Sequence, residues 1–226
     1  MEERERKMKI KVFSVIDTNV IISGTISSKS APAKILQLVR SHNIIPIFDN
    51  RMLSEYHEVL NRKKFSISGQ TIYDTLYNIV ENGILINDVE ATKKELRDRK
   101  DIPFFEVKES ANEFSPTLVT GNIIDFPESS STVKPEIMLG IMEHLEWWAN
   151  LKVSNEPDYD TVIENLKKEQ LSKSKYTSGK QIIDDLFNIE HQQVNLESRI
   201  LKLGEAAFKN TVSMQTNTTC ETEKDI

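Results

Sequence analysis

Four short strings, far apart in the chain, each place an acidic or amide side chain where a strand could end or a helix could begin. They cover residues 15–19, 54–60, 98–104 and 118–126. Each string alone is weak evidence, because acidic residues also form helix caps and turns. Together, and in this order, they predict a carboxylate cluster that binds a divalent metal ion and cuts nucleic acid.

Asp17 is the candidate of the first string, because it directly follows an apolar strand pattern that ends in Val15 and Ile16. A strand that ends in Asp-Thr-Asn is also typical of an Asx turn or a helix cap, and the string taken alone favours that interpretation. A metal ligand needs neighbours that fix its orientation, and Thr18 and Asn19 are the candidates for this role.

Glu55 is the candidate of the second string. On a helical wheel it lies just outside the apolar arc that contains Tyr56 and Leu60, whereas Glu58 lies nearly opposite Leu60. A glutamate at the margin of the buried arc can point into a cleft while its helix packs on a sheet. An ordinary exposed helix acid is the equal alternative.

The third string offers Asp98 and Asp101 ahead of a helix. Aspartate is favoured in the first turn of a helix by the helix dipole, so helix capping is a strong alternative to metal binding. Either Asp98 is the cap and Asp101 the ligand, or both carboxylates face the site.

The fourth string supplies Thr120, Asn122 and Asp125, with Gly121 allowing a sharp turn after the strand. Asn122 contributes a neutral oxygen, whereas Asp125 could add a charge. Two carboxylates about 6 Å apart repel by roughly 3 kcal/mol at an effective dielectric of about 20, so such a cluster binds either protons or a hard cation.

The chemistry of these ligands favours Mg²⁺ or Mn²⁺ over zinc, because all the donors are oxygens. The four histidines show no ligand spacing, and we interpret them as structural or surface residues: His42, His57, His144 and His191. Cys220 is the only cysteine, which excludes an internal disulfide and fits a reducing cytoplasm.

The composition favours a soluble cytoplasmic protein with 38% hydrophobic and 28% charged residues among 226. We expect no secretory signal and no membrane span, since no apolar run approaches about 20 residues. A net charge of −6 argues against nucleic-acid binding over the whole surface, but a local basic rim suffices for a nuclease. A solvated helix face is the equal alternative for the basic residues, which are Arg62, Lys63, Lys64, Lys93, Lys94, Arg97, Arg99 and Lys100.

Short apolar strands alternate with helices up to about residue 148, which predicts an α/β fold with a parallel sheet covered on both faces. The strands are predicted at 9–16, 44–48, 84–86 and 117–120, and the helices from Pro32 and at 49–62, 68–81, 101–112 and 135–148. Because functional groups collect at the carboxyl ends of parallel strands, we expect Asp17 and the turn at Thr120 to lie side by side.

The chain beyond this region has a different pattern. We predict a first domain at 1–149, a helical extension at 150–210 with a heptad-patterned helix at about 180–208, and a disordered tail at 211–226. The helix either seeks a partner or lies back across the first domain. Its apolar seam, interrupted once by glutamine, is Ile182, Leu186, Ile189, Gln193, Leu196, Ile200, Leu203 and Ala207.

The strings Val-Ile-Asp-Thr-Asn, Ser-Glu-Tyr-x-Glu-Val-Leu, Asp-x-x-Asp-x-x-Phe and Leu-Val-Thr-Gly-Asn-x-x-Asp-Phe resemble those of the PIN-domain family. Within this family the likeness is to the VapC-like toxin ribonucleases of toxin–antitoxin systems, and it covers about residues 9–148. The resemblance implies a three-layer fold and Mg²⁺- or Mn²⁺-dependent cleavage of RNA. It also implies a cognate antitoxin that blocks the cleft, and a homodimer.

The same resemblance assigns the catalytic and metal-binding roles to Asp17, Glu55 and Asp101. The family's fourth acidic position is Asn122 here, so the charge is lower and Asp125 is the candidate to replace it. Supporting roles fall to Asn19, Asp98, Thr120, Asn122 and Asp125, and the candidate RNA-binding residues are Lys94, Arg97, Arg99 and Lys100.

Two functions from different classes remain possible at this point. The first is a metal-dependent ribonuclease that acts as a toxin. The second is a binding or regulatory protein on the same fold, with a weakened acidic site and a C-terminal extension that recruits partners. A phosphatase that uses Asp17 as the nucleophile is disfavoured, because the second acid it needs two residues later is replaced by Asn19.

Overall fold

The computed structural model describes residues 10–127, 130–151 and 159–188. The five strands are β1 (Val12–Ile16), β2 (Ile44–Phe48), β3 (Ile84–Leu85), β4 (Thr117–Val119) and β5 (Thr132–Val133). The helices are α1 (Thr18–Ile26), α2 (Ala31–Arg40), α3 (Asn50–Leu60), α4 (Gly69–Asn82), α5 (Ile102–Ser110), α6 (Pro135–Leu151) and α7 (Tyr159–Ser172), and residues 179–188 are also helical.

The five strands form one parallel sheet in the order β3-β2-β1-β4-β5. Strand β1 is central, and its Ser14 pairs with Pro46 of β2 on one side and with Thr117 of β4 on the other. Every residue of β2 is buried, as expected for a strand covered by helices on both faces. The predicted three-layer α/β fold is therefore confirmed.

Side-chain caps begin three of the helices that the sequence predicts. Ser30 accepts a hydrogen bond from the backbone of Ala33 at 3.2 Å, and Asp49 accepts one from Met52 at 2.9 Å. Ser68 does the same at the start of α4. Each such cap satisfies an otherwise unpaired donor and contributes about 1 kcal/mol.

Helix α1 and strand β5 were missed by the sequence-based prediction. The residues of α1 include the β-branched run Val20-Ile21-Ile22, which has low helix propensity and no helical periodicity. Packing decides its conformation instead: a Cβ on Gly24 would stand 2.8 Å from the carbonyl oxygen of Pro32, so α1 lies very close to the start of α2. Strand β5 has only two residues, too few for a recognisable pattern.

Helix α7 packs against β3 at the edge of the sheet. Lys167 donates from Nζ to the carbonyl oxygen of Glu81 at 2.6 Å, and Asn87 donates to the carbonyl oxygen of Gln170 at 2.9 Å. The first compact unit of the chain consequently runs to Ile183, and the second begins at Asp184. The predicted extension thus begins with a helix that belongs to the same unit as the sheet.

The heptad seam is described only at its start. Ile182 is buried in the first unit, and Leu186 is half-buried. The seam positions from Ile189 to Ala207 and the tail predicted as disordered at 211–226 lie outside the described residues. Within the described ranges, no helix combines the length and apolar character needed to cross a lipid bilayer.

Candidate active site

Asp17 is fixed at the carboxyl end of the central strand. Its backbone nitrogen extends the β1–β4 pairing by donating to the carbonyl oxygen of Val119 at 2.9 Å, and its carboxylate caps α1. The residue is 5% exposed, and its side chain accepts hydrogen bonds from the amide of Asn19 at 2.6 Å and from the hydroxyl of Thr120. Asp17 is therefore a helix cap, and it is also oriented by two side chains at the edge of the sheet.

Asn19 joins the ends of β1 and β4. Its Oδ1 accepts a hydrogen bond from the backbone nitrogen of Gly121 at 2.9 Å, while its Nδ2 donates to Asp17. A Cβ on Gly121 would lie 3.2 Å from Asn19 Oδ1, so the absence of a side chain keeps this approach unobstructed. The adjacency predicted for Asp17 and the turn at Thr120 is thus confirmed.

Glu55 extends from α3 toward the carboxyl end of β1, where it contacts Thr18. It is half-buried, and its Oε1 accepts a hydrogen bond from Thr18 Oγ1 at 2.7 Å. Thr18 thus orients Glu55, whereas we had predicted that it would orient Asp17. The neighbouring Tyr56 hydroxyl donates to the carbonyl oxygen of Ile16, which ties α3 to the end of β1. Glu58 is exposed, as predicted.

Asp98 and Asp101 lie in a short 3-10 turn that leads into α5. Asp98 accepts from the backbone nitrogen of Lys100 at 2.9 Å, so Asp98 is the cap. Both acids line the same cleft. The Asp101 carboxylate accepts no hydrogen bond and forms no ion pair with any described residue. Asp101 therefore carries a charge that no described neighbour compensates directly.

Asn122 and Asp125 interact with each other after β4. The amide of Asn122 donates to the Asp125 carboxylate, and Arg97 Nε lies 4.0 Å from the other oxygen of Asp125. Neither residue is among those that line the cleft in the described part of the chain. Asp125 nevertheless lies near enough for its charge to raise the pKa of Asp101.

An open cleft of about 660 Å³ brings together the three predicted catalytic acids, Asp17, Glu55 and Asp101. It also contains Arg51, which the sequence-based reasoning missed. Arg51 lies four residues before Glu55 on α3, a spacing that places both on one face of the helix and could have revealed it. The polar residues that line the cleft are Asp17, Thr18, Asn19, Arg51, Ser54, Glu55, Glu58, Arg62, Asp98, Lys100 and Asp101.

The predicted RNA-binding residues are not all at the cleft. Lys100 lines it, whereas Lys94 lies over the ring of Phe105 at 4.9 Å. Arg97 faces Asp125, and Arg99 is exposed. Among these four predicted residues, the structure brings only Lys100 to the described lining of the cleft.

The acidic residues of the cleft influence one another's ionisation. Burial raises the pKa of Asp17, partly offset by its hydrogen bonds from Thr120 and Asn19. Burial also raises the pKa of Glu55, and the charge of Asp17 adds to this effect. The pKa of Asp101 rises to about 7, because burial is reinforced by the charges of Asp17, Asp125, Asp98 and Glu55, in that order.

The donors of the cleft fit a hard divalent cation in their chemistry. They are carboxylate and amide oxygens, with no histidine or cysteine among the described lining residues. In the described part of the chain, however, no three His, Cys, Asp or Glu side chains stand close enough together to hold a metal ion. The structure thus shows carboxylates that converge and repel, without the geometry of a closed coordination sphere.

Residues 14–123 match the family model described as the PIN domain. The matched range contains the last three residues of β1, all of β2 to β4 and every described residue that lines the cleft, whereas Asp125 lies just beyond it. No curated protein and no solved structure matched the chain. The match supports assignment of this part of the chain to the PIN-domain family, whose members are generally nucleases.

Proposed function

We propose that the PIN-like region of this chain is a divalent-metal-dependent endoribonuclease and that the protein is the toxin of a toxin–antitoxin pair. One observation carries the nuclease proposal. Asp17, Glu55 and Asp101 come from three separate elements and line one cleft, where their mutual repulsion helps to raise the pKa of Asp101 to about 7. A cluster of this kind is stabilised by a cation.

Mg²⁺ or Mn²⁺ is the proposed cofactor, and Asp17, Glu55 and Asp101 are the residues that would hold it. A bound divalent ion supplies an acidified water molecule and positive charge at the phosphate. Asp125 would add negative charge beside Asp101, so it partly replaces the acid missing at Asn122. The number of metal ions in the site, one or two, depends on how far Asp125 replaces the acid that is missing at Asn122.

The side chains of the chain itself perform the positioning. Thr120 and Asn19 hold the Asp17 carboxylate in one orientation, so little reorganisation is needed when substrate binds. Glu55 uses Oε1 to accept from Thr18, which leaves Oε2 available to orient the attacking water and accept its proton. Asn122 donates from its backbone nitrogen to Thr120 Oγ1 at 3.0 Å, and it would help to position the phosphate from outside the described lining of the cleft.

The nuclease proposal is tested by incubating purified protein with labelled single-stranded RNA in Mg²⁺, in Mn²⁺ and in chelator. We expect cleavage with either metal, none with chelator, and a loss of at least about 100-fold for Asp17→Asn. Glu58→Gln is the matched control, since Glu58 lines the same cleft but is paired with Arg62 at 2.9 Å. No cleavage by folded protein on several RNAs would contradict the proposal.

The toxin role is supported by the resemblance of the four sequence strings to those of VapC-like toxins. It adds two partners to the proposal, a cognate antitoxin that covers the cleft and a second copy of the chain in a homodimer. Expression of the chain without its antitoxin should arrest growth, and Asp17→Asn should abolish the arrest. Cleavage in vitro without growth arrest would support the ribonuclease proposal and contradict the toxin proposal.

A binding or regulatory protein on the same fold is the second candidate. It is favoured by one observation: Asn122 occupies the family's fourth acidic position, and its amide is engaged by Asp125. This candidate predicts RNA or protein binding without metal-dependent cleavage, and no functional loss for Asp17→Asn. The cleavage assay therefore separates the two candidates directly.

A further inference from the structure

Three cationic side chains line the described part of the cleft, and two of them are already paired. Arg51 donates from Nε to Asp49 and from Nη1 to Glu106, each at 2.6 Å. Arg62 donates to Glu58 at 2.9 Å. Because these guanidinium charges are compensated within the protein, they add little attraction for an approaching polyanion.

Lys100 is different from both arginines. Its Nζ has no hydrogen bond, ion pair or ring contact with any described residue. Its backbone nitrogen is held by the Asp98 cap at 2.9 Å, so the start of the side chain has a fixed position at the cleft. The ammonium group is also near the acidic residues, since burial raises the pKa of Glu55 and the charge of Lys100 partly offsets this rise.

An RNA strand that reaches this cleft meets a strongly acidic lining. Among the described residues, five carboxylates line the cleft, from Asp17, Glu55, Glu58, Asp98 and Asp101. Each backbone phosphate adds another negative charge, so binding needs a cation that is not already neutralised. A lysine supplies a compact charge on a flexible stem, which suits a phosphate that is not presented in a fixed bidentate geometry.

We propose that Lys100 binds a backbone phosphate of the RNA strand in the cleft through Nζ, and that Arg51 and Arg62 do not. The proposal rests on the proposed function, because it takes RNA as the ligand of this cleft. It assigns the phosphate contact to one side chain among several basic residues near the site. The opposing interpretation is that Lys100 only balances the charge of the neighbouring carboxylates.

The test is equilibrium binding of a labelled 2′-O-methyl RNA strand to the full chain, measured by fluorescence anisotropy over a range of salt concentrations. Measurements in chelator and in Mg²⁺ are followed by a gel that checks the strand for cleavage. The variants are Lys100→Ala, Lys100→Arg and Arg62→Gln, and thermal melts verify that each is folded. Cleavage of unmodified RNA by the wild type is measured in parallel.

Lys100→Ala should weaken binding about tenfold, the cost of one charge-assisted contact, and lower the salt slope by about 0.7. Lys100→Arg should restore most of the affinity, and Arg62→Gln should change it by less than about twofold. A residue that only balances the carboxylates would leave the salt slope unchanged.

The outcomes separate this proposal from the proposed function. Equal binding and salt slope for wild type and Lys100→Ala, in a protein that cuts RNA, would overturn the Lys100 contact and leave the nuclease. Binding that depends on Lys100, in a protein that does not cut, would retain the contact and overturn the nuclease. If the folded wild type neither binds the 2′-O-methyl strand nor cuts unmodified RNA, both proposals are overturned.

Discussion

Two groups of acidic residues, both in contact with helix α3, differ in how their charge is compensated. The paired cluster consists of Asp49, Arg51 and Glu106, in which one guanidinium lies between two nearly buried carboxylates. The open cluster consists of Asp17, Glu55 and Asp101, and none of them is paired with a cation among the described residues. Hydroxyl and amide donors from Thr18, Asn19 and Thr120 reach only its first two members.

Helix α3 contributes to both clusters, through Arg51 to the first and through Glu55 to the second. The paired cluster contains its own counter-charge and holds α3 to α5, so it is a structural feature. In the open cluster, burial and then repulsion between the carboxylates raise the pKa of Asp101 to about 7. The presence or absence of an internal cation thus separates an acidic group that stabilises the fold from one suited to binding a metal ion.

Removal of the cation from the paired cluster should give the largest change in stability. Arg51→Ala leaves two carboxylates facing each other, with side chains of Asp49 and Glu106 only 7% and 6% exposed. We expect a loss of about 2–3 kcal/mol in the free energy of unfolding, less than for a fully buried pair because the guanidinium is itself partly in solvent. Urea denaturation of wild type and variant measures this loss. An unchanged midpoint would show that the pair is not structural.

Removal of a charge from the open cluster should instead increase the free energy of unfolding. Asp101→Asn takes away a carboxylate that has no described partner, so the metal-free protein should gain about 1 kcal/mol of stability at pH 8. Chemical denaturation in chelator measures the gain, and Glu106→Gln is the control, which should destabilise. Destabilisation by both substitutions would remove the distinction between the clusters.

The pH dependence of stability should also reveal the open cluster. An unfolded aspartate titrates near a pKa of about 3.9, whereas Asp101 in the fold titrates near 7, so the folded state retains a proton that the unfolded state releases. The stability that this retained proton contributes is present in full below about pH 4 and is lost as the pH rises through 7. Metal-free wild type should therefore lose stability from pH 5 to pH 8 more steeply than Asp101→Asn. Parallel curves for the two proteins would contradict this.

The smallest effect is expected at the exposed pair on the rim. Arg62 and Glu58 are four residues apart, with side chains 41% and 73% exposed. Arg62→Gln should cost less than about 0.5 kcal/mol, because solvent screens the pair and both side chains lose conformational freedom when they meet. The same denaturation assay measures this loss of stability. A loss above about 1 kcal/mol would contradict the view that the exposed pair contributes much less than the buried one.

The sequence predicted the parts of the fold that rest on local patterns. Apolar strands, proline and serine caps and helical periodicity located four strands and five of the helices around the sheet. Helix α1 was not predicted, because its β-branched residues contradict helix propensity. The Asp17 cap begins the helix, and the close approach of Gly24 to α2, which the sequence does not reveal, packs it. The chain order of polar residues after strands was enough to place Asp17 beside Thr120.

Partner choice within the site was less predictable. The sequence suggested that Thr18 would orient Asp17, but the first turn of α1 directs its hydroxyl to Glu55. Lys94 and Lys100 belong to the same basic run, yet one lies over Phe105 and the other lines the cleft. The spacing of Arg51 and Glu55 could have placed Arg51 at the cleft, but the pairing of Arg51 with Glu106, which is 55 residues away, could not be predicted. Such contacts are set by tertiary structure and not by spacing along the chain.

The central claim is that the open cluster binds a divalent cation, and Mn²⁺ binding measured by isothermal titration calorimetry tests it most directly. Glu55→Gln and Glu58→Gln are the matched pair, since the two glutamates lie three residues apart on α3 and line the same cleft. We predict that wild type binds Mn²⁺, that Glu55→Gln weakens binding by about tenfold or more, and that Glu58→Gln changes it by less than about twofold. No binding by folded wild type, or equal losses in the two variants, would contradict the claim.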